Sequence, residues 1–198
     1  YLFYPYDVKG NELNIEEFSN GYEYIKQFYD SLSRRILDGK KITEWGKQWF
    51  SFWRVRNPEV FTKQKILSPR IATNNSFALD LKGEFYLTDS AVAIVPKNID
   101  IKYLLGVLNS DLLFFIVKNT SPFVQGRYYS YTRTYLDKLP IKLPKTPEEK
   151  KIANQIIKKV DEILELHKSG IVDIDAVLEG EGTEKLHQLP KVSFNISD

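Results

Sequence analysis

Asp100-Ile-Lys-Tyr-Leu-Leu-Gly-Val-Leu-Asn-Ser-Asp-Leu-Leu-Phe-Phe-Ile-Val-Lys118 holds the longest apolar run of this 198-residue chain, Leu112 to Val117, and its punctuation decides the fold. Asp100 is a good N-cap for a helix through Tyr103, Leu104, Val107 and Leu108. Asn109-Ser110 then interrupts, and a second apolar helix runs from Asp111 to Lys118. Two short apolar helices joined so tightly are the expected core.

Upstream, between Lys65 and Val95, the texture changes to short β-rich runs: Lys65-Ile-Leu-Ser, Phe77-Ala-Leu-Asp, Phe85-Tyr-Leu and Ala91-Val-Ala-Ile-Val. Asn74-Asn75, Lys82-Gly83 and Pro96 separate them. Further back, Tyr24, Ile25, Phe28, Tyr29, Leu32 and Ile36 recur at helical spacing, which predicts one helix over Asn20 to Leu37, with Asp38-Gly39 as its stop. Downstream of the core, Gly126 to Tyr131 reads as a polar, aromatic loop. Thr146, Pro147 and Glu149 then form a capping box that opens a helix to His167, with Ile152, Ile156, Val160, Ile163, Leu164 and His167 on its apolar face. The expectation is an α/β (α+β) domain over residues 1–145, with a mixed or antiparallel sheet flanked by helices. A protruding amphipathic helix over 146–168 and an acidic, weakly ordered tail over 169–198 follow it.

Charge is unevenly distributed. By segment it sums to about −3 for residues 1–39, +6 for 40–75, −2 for 76–117, +5 for 118–145 and −4 beyond. The first basic block interleaves Lys47, Gln48, Arg54, Arg56 and Arg70 with Trp45, Trp49 and Trp53, and ends in Thr73, Asn74 and Asn75. The second carries Lys118, Gln125, Arg127 and Arg133 among Tyr128, Tyr129 and Tyr131. Lys and Arg neutralise phosphates, while Arg, Asn and Gln match base edges with forked donors or donor-acceptor pairs. Aromatic rings can brace a distorted strand or an extruded base. The candidate contacts are therefore Arg54, Arg56, Arg70, Arg127 and Arg133, with Lys47, Gln48, Asn74, Asn75, Gln125 and Tyr129. The Trp spacing of four also fits a helical core stripe whose outer face the cations merely solvate.

Other chemistries are poorly supplied. With no Cys and two His, thiolate zinc and cysteine nucleophiles are excluded, and metal binding falls to carboxylates. Asp80-Leu-Lys82 has half the form of a magnesium-dependent nuclease site, but no Asp or Glu lies between Lys63 and Leu79, so Asp80 reads as a hairpin residue. His167 reads as a packing residue. Gly106 and Gly126 fit no phosphate-binding pattern. No apolar run is long enough to span a bilayer and no signal peptide opens the chain, which predicts a cytoplasmic protein without a membrane partner. The absence of Met and the strand-like opening suggest a piece of a longer protein.

The order of features carries more information than any one of them. Leu2-Phe-Tyr-Pro-Tyr opens the chain, followed by a helix ending Leu32-Ser-Arg-Arg and by the Trp45 to Trp53 stretch. Lys65-Ile-Leu-Ser-Pro-Arg-Ile, Phe77-Ala-Leu-Asp with Gly83, and Tyr103-Leu-Leu-Gly-Val-Leu-Asn-Ser-Asp-Leu-Leu come next. A Gly-Arg-Tyr-Tyr run from Gly126 and Tyr135-Leu-Asp-Lys-Leu-Pro-Ile complete the series. Residues 1–145 resemble the TaqI-like C-terminal specificity domain of adenine-specific DNA methyltransferases and fused type II restriction-modification enzymes. The helix from Pro147-Glu-Glu-Lys-Lys-Ile-Ala-Asn resembles the one that follows recognition domains in type I specificity subunits.

The resemblance implies a target recognition domain that reads double-stranded DNA without catalysing anything itself. Its implied partner is an upstream methyltransferase domain of the same chain, which binds S-adenosylmethionine and methylates adenine N6 after flipping the base. Neither a Gly-rich cofactor loop nor an Asn-Pro-Pro-Tyr type motif occurs here, so no cofactor is expected in this chain. The rival reading is a protein-protein interaction module without nucleic-acid affinity, in which the apolar helices dock a partner.

Overall fold

Tyr4 anchors the start of the chain by packing its ring against Tyr6, Phe52, Phe61 and Tyr86, with centroids 4.9–5.8 Å apart. The structure, a computed structural model, describes residues 3–55, 58–124 and 126–168. After a 3-10 turn at Ile15–Glu17 come α1 (Ser19–Lys26) and α2 (Tyr29–Ser33), which replace the single helix that the periodicity predicts. Asp38-Gly39 is a hairpin turn rather than a helix stop. Their φ values, +50° and +78°, form the left-handed pair whose twist suits β1 (Ile36–Leu37) and β2 (Lys40–Lys41). The stretch from Trp45 to Trp53 is not helical beyond a 3-10 turn at Ile42–Trp45, so the three Trp do not form one helical stripe.

The remaining strands build two antiparallel sheets. β3 (Lys65–Pro69) lies between β5 (Ala78–Asp80) and β6 (Ala91–Ile94) in one. β4 (Ile71–Ala72), β8 (Tyr128–Ser130) and β7 (Phe123–Val124) form the other, in that order. Arg70 joins them. Its N–H continues the first ladder by donating to the Ser90 carbonyl at 2.9 Å, and its carbonyl continues the second by accepting from Tyr131 N–H at 2.8 Å. The predicted loop from Gly126 to Tyr131 is thus largely β-hairpin and leads to a wholly buried Tyr131.

Phe85-Tyr-Leu forms no strand. The buried Asp80 carboxylate accepts the N–H groups of Gly83, Glu84 and Phe85, which diverts donors that a ladder needs. Lys65 completes this arrangement, its ammonium 2.5 Å from Asp80 with both side chains out of solvent. Gly83 is required here, because its φ is +68° and a Cβ would lie 2.5 Å from the Thr62 backbone.

Behind the sheets lie α3 (Ile101–Leu108), capped by Asp100 as the sequence predicts, and α4 (Asp111–Thr120), capped by Ser110. Tyr103, Leu104, Leu105, Leu108, Leu113 and Val117 are buried, so the two helices supply much of the core. A single turn, α5 (Arg133–Leu136), leads towards α6 (Pro147–Lys168). Glu149 accepts the Thr146 N–H while Thr146 Oγ1 accepts the Glu149 N–H, which closes the expected capping box.

α6 crosses α3 at Gly106, where a Cβ would come within 2.6 Å of Ile156 and 3.1 Å of Val160. Lys102 of α3 also pairs with Asp161 of α6 at 2.5 Å. The packed face is Ala153, Ile156, Val160 and Leu164, whereas Ile152, Ile163 and His167 are exposed. The apolar stripe is therefore narrower than the sequence suggests, because α3 is far shorter than α6 and covers only part of it. His167 is not a packing residue. The expected tail over 169–198 lies outside the described residues.

Candidate nucleic-acid interface

Two segments far apart in sequence meet in the β4-β8-β7 sheet. Ile71 pairs with Ser130 and Ala72 with Tyr129, while Phe123 pairs with Tyr129 and Val124 with Tyr128. The contributing stretches, 63–79 and 112–136, contain no Asp or Glu but carry Lys63, Arg70, Lys118, Arg127 and Arg133. All five of these cations are exposed, whereas Lys65, the sixth in these stretches, is buried against Asp80.

Arg70 exposes its guanidinium at the junction of the sheets, where Nη1 donates to the Asp89 carbonyl at 3.1 Å. Arg127 sits at the hairpin tip with φ +73°, next to Gly126 at +79°. A left-handed, non-glycine residue at an exposed tip carries backbone strain that contributes nothing visible to the core. Arg133, at the start of α5, forms an exposed ion pair with Asp137 at 2.9 Å, and that hydrogen bond raises the guanidinium pKa. Lys118 lies 5.5 Å over the Phe114 ring, and Phe114 packs edge-on against Tyr129.

The other candidates divide. Tyr129 is half-buried between Phe114 and Phe123, so it braces the hairpin from the core side. Asn74 is exposed and accepts from Ser76 at 3.0 Å. Asn75 turns inward: its Nδ2 donates to the Leu108 and Ser110 carbonyls and its Oδ1 accepts the Tyr131 hydroxyl at 3.0 Å. An amide used three times within the protein has little left for a base edge. Burial, first, and the neighbouring Tyr129 push the Tyr131 hydroxyl up to about 12, so it remains a donor at all ordinary pH values.

Lys47, Gln48 and Arg54 lie on a separate loop. Lys47 donates to the Phe52 carbonyl at 3.1 Å, whereas Gln48 and Arg54 are exposed. Arg35, which sequence reasoning passed over, holds that loop in place. Its guanidinium donates to the carbonyls of Leu32, Trp49 and Ser51, each at 2.9 Å, and lies 5.6 Å from the Trp53 ring centroid. Burial lowers its pKa. The Leu32-Ser-Arg-Arg run contained it, but nothing local distinguishes a carbonyl-binding Arg from a solvated one. Arg56 and Gln125 lie outside the described residues.

Among the described residues, no group of three His, Asp or Glu side chains is placed to hold a metal, and no helix is long and apolar enough to cross a membrane. Asp80 and Lys82 form no nuclease site, since the Asp80 carboxylate is committed to Lys65 and to backbone amides.

Strands, hairpin and helical support together make a module of the α+β class, in which exposed cations flank the β4-β8-β7 sheet. The family model of the TaqI-like C-terminal specificity domain matches residues 6–141. The chain belongs to that family, the specificity domains of restriction-modification methyltransferases.

Proposed function

We propose that this chain reads a specific duplex DNA sequence for an adenine-N6 methyltransferase, and that the β4-β8-β7 sheet with its hairpin tip is the main contact surface. The observation that carries the reading is the assembly of one sheet from two carboxylate-free, cation-bearing stretches, 63–79 and 112–136. A polyanion is the partner that such a surface suits electrostatically. Arg70 and Arg127 are the leading base or phosphate contacts, Arg133 and Lys118 flank them, and Arg54, steadied indirectly by Arg35, grips from the separate loop. Arg56 and Gln125 remain candidates on sequence alone. Methyl transfer, with S-adenosylmethionine as donor, belongs to an accompanying catalytic domain, and this chain supplies target choice.

The test is binding to random-sequence duplex DNA across a salt series, with wild type compared against Arg127→Ala/Arg133→Ala. Affinity should fall steeply with salt, and the double variant should flatten the logarithmic slope by about one for each phosphate contact removed. Absence of binding at low salt overturns the reading in favour of a protein-docking module.

A further inference from the structure

The side chains exposed on the face of the β4-β8-β7 sheet turned away from the core are apolar. In an antiparallel pair, residues directly opposite share a face and the alternate residues take the other. Ala72, Tyr129 and Phe123 thus share one face, on which Tyr129 packs against Phe114 of the core helix α4. The opposite face carries Ile71 from β4, Tyr128 and the buried Ser130 from β8, and Val124 from β7. Tyr128 is directly opposite Val124, and Ile71, whose partner is Ser130, is its diagonal neighbour.

A solvated sheet face ordinarily bears polar side chains. Here Ile71 is 50% exposed and Tyr128 42% exposed. The Tyr128 ring lies over the hairpin tip, close enough that a Cβ on Gly126 would touch it at 3.7 Å. The backbones of Arg70 and Arg127 adjoin the two ends of this strip, each next in sequence to one of its residues. The strip is too small for a stable protein interface, which buries about 800 Å² per partner. Its flanking cations and carboxylate-free strands favour an anionic occupant instead. The DNA major groove admits a β-ribbon, and the one apolar group that an unmodified base edge presents there is the thymine 5-methyl.

We infer that Ile71, Tyr128 and Val124 form an apolar reader of pyrimidine 5-methyl groups in the major groove, oriented by Arg70 and Arg127 at its ends. This rests on the DNA-reading role proposed above. It assigns the strip discrimination at thymine positions, while the two Arg supply phosphate or guanine contacts.

The experiment uses the whole 198-residue chain. Preferred sequences are first selected from a random duplex pool, and each thymine of the best duplex is then replaced singly by uracil, which deletes only the methyl. The expected loss is about fourfold in affinity for each methyl read, at one or two positions. Tyr128→Asn and Ile71→Asn should bind the thymine and uracil duplexes equally, whereas Tyr128→Phe should retain the discrimination. Both Asn substitutions fall at exposed positions, and thermal melting checks that each variant folds. Selective binding by the wild type with no uracil effect at any position overturns the inference and leaves the DNA-reading role intact. Failure to bind or to enrich any sequence overturns both.

Discussion

Tyr131, wholly buried, donates its hydroxyl to Asn75 Oδ1 at 3.0 Å, and the same amide reaches the carbonyls at the α3–α4 junction through its nitrogen. One polar side chain thus ties the second sheet to the helical core. Asn75→Ala should cost about 1–3 kcal/mol, since it leaves a buried hydroxyl and a junction carbonyl without partners. Denaturant unfolding measures this. Sequence preference, measured on the folded fraction, should not change, and a shift at a single base position would return Asn75 to the contact surface.

The Lys65–Asp80 pair gives a second prediction. Burial alone would raise the Asp80 carboxyl, but Lys65 and the amides of Phe85 and Glu84 outweigh it and hold the pKa below the ordinary Asp value. A lowered folded pKa gives stability that is present in full above the unfolded value, near about 3.9, and is lost as pH falls through the folded one. Acid unfolding of the wild type should therefore include a step below that range. Asp80→Asn leaves a buried cation unpaired and should cost about 3–5 kcal/mol at neutral pH, read by denaturant titration.

At the crossing of α3 and α6, Gly106→Ala places a Cβ 2.6 Å from Ile156 Cγ2. Overpacking of this kind costs about 1–3 kcal/mol. Pairing it with Ile156→Ala should recover part of the loss, and a double-mutant cycle in thermal unfolding checks the coupling. Strictly additive effects would mean that the helices separate rather than strain.

Arg35→Ala should destabilise the chain by about 1.5–3 kcal/mol, because hydrogen bonds from a charged donor to three carbonyls are lost. Arg35→Lys should recover little, since an ammonium lacks the planar fork that serves Leu32, Trp49 and Ser51 together. Protease susceptibility of the loop around Trp49 gives an independent readout.

Arg127→Gly separates binding from folding. The left-handed backbone costs an L-residue about 1–2 kcal/mol, which glycine avoids at an entropic cost of about 0.5–1 kcal/mol. Stability should stay level or rise by up to about 1.5 kcal/mol while DNA affinity falls. Unchanged affinity in the salt series would remove the hairpin tip from the interface.

The elements that the sequence announced clearly were those with local signals. Asp100 and Thr146 start helices because a side-chain oxygen satisfies amides within three residues, a relation visible in the sequence. Asp38-Gly39 was ambiguous, since the same dipeptide ends helices and turns hairpins, and only the strand on its far side decides. The Gly126 to Tyr131 hairpin escaped for a similar reason, because three-residue strands gain their identity from the neighbour they pair with, here β4, more than fifty residues earlier.

The sequence by itself determined the α+β class, the helical core, the capped C-terminal helix and the two basic blocks, because composition, period and caps act over a few residues. The tertiary structure alone decided that Arg70 bridges two sheets, that Asn75 faces inward, that Arg35 supports a loop, and that Ile71 and Tyr128 share an exposed face. Each of these depends on which backbone carbonyl or strand lies opposite, and that relation exists only once distant segments have paired.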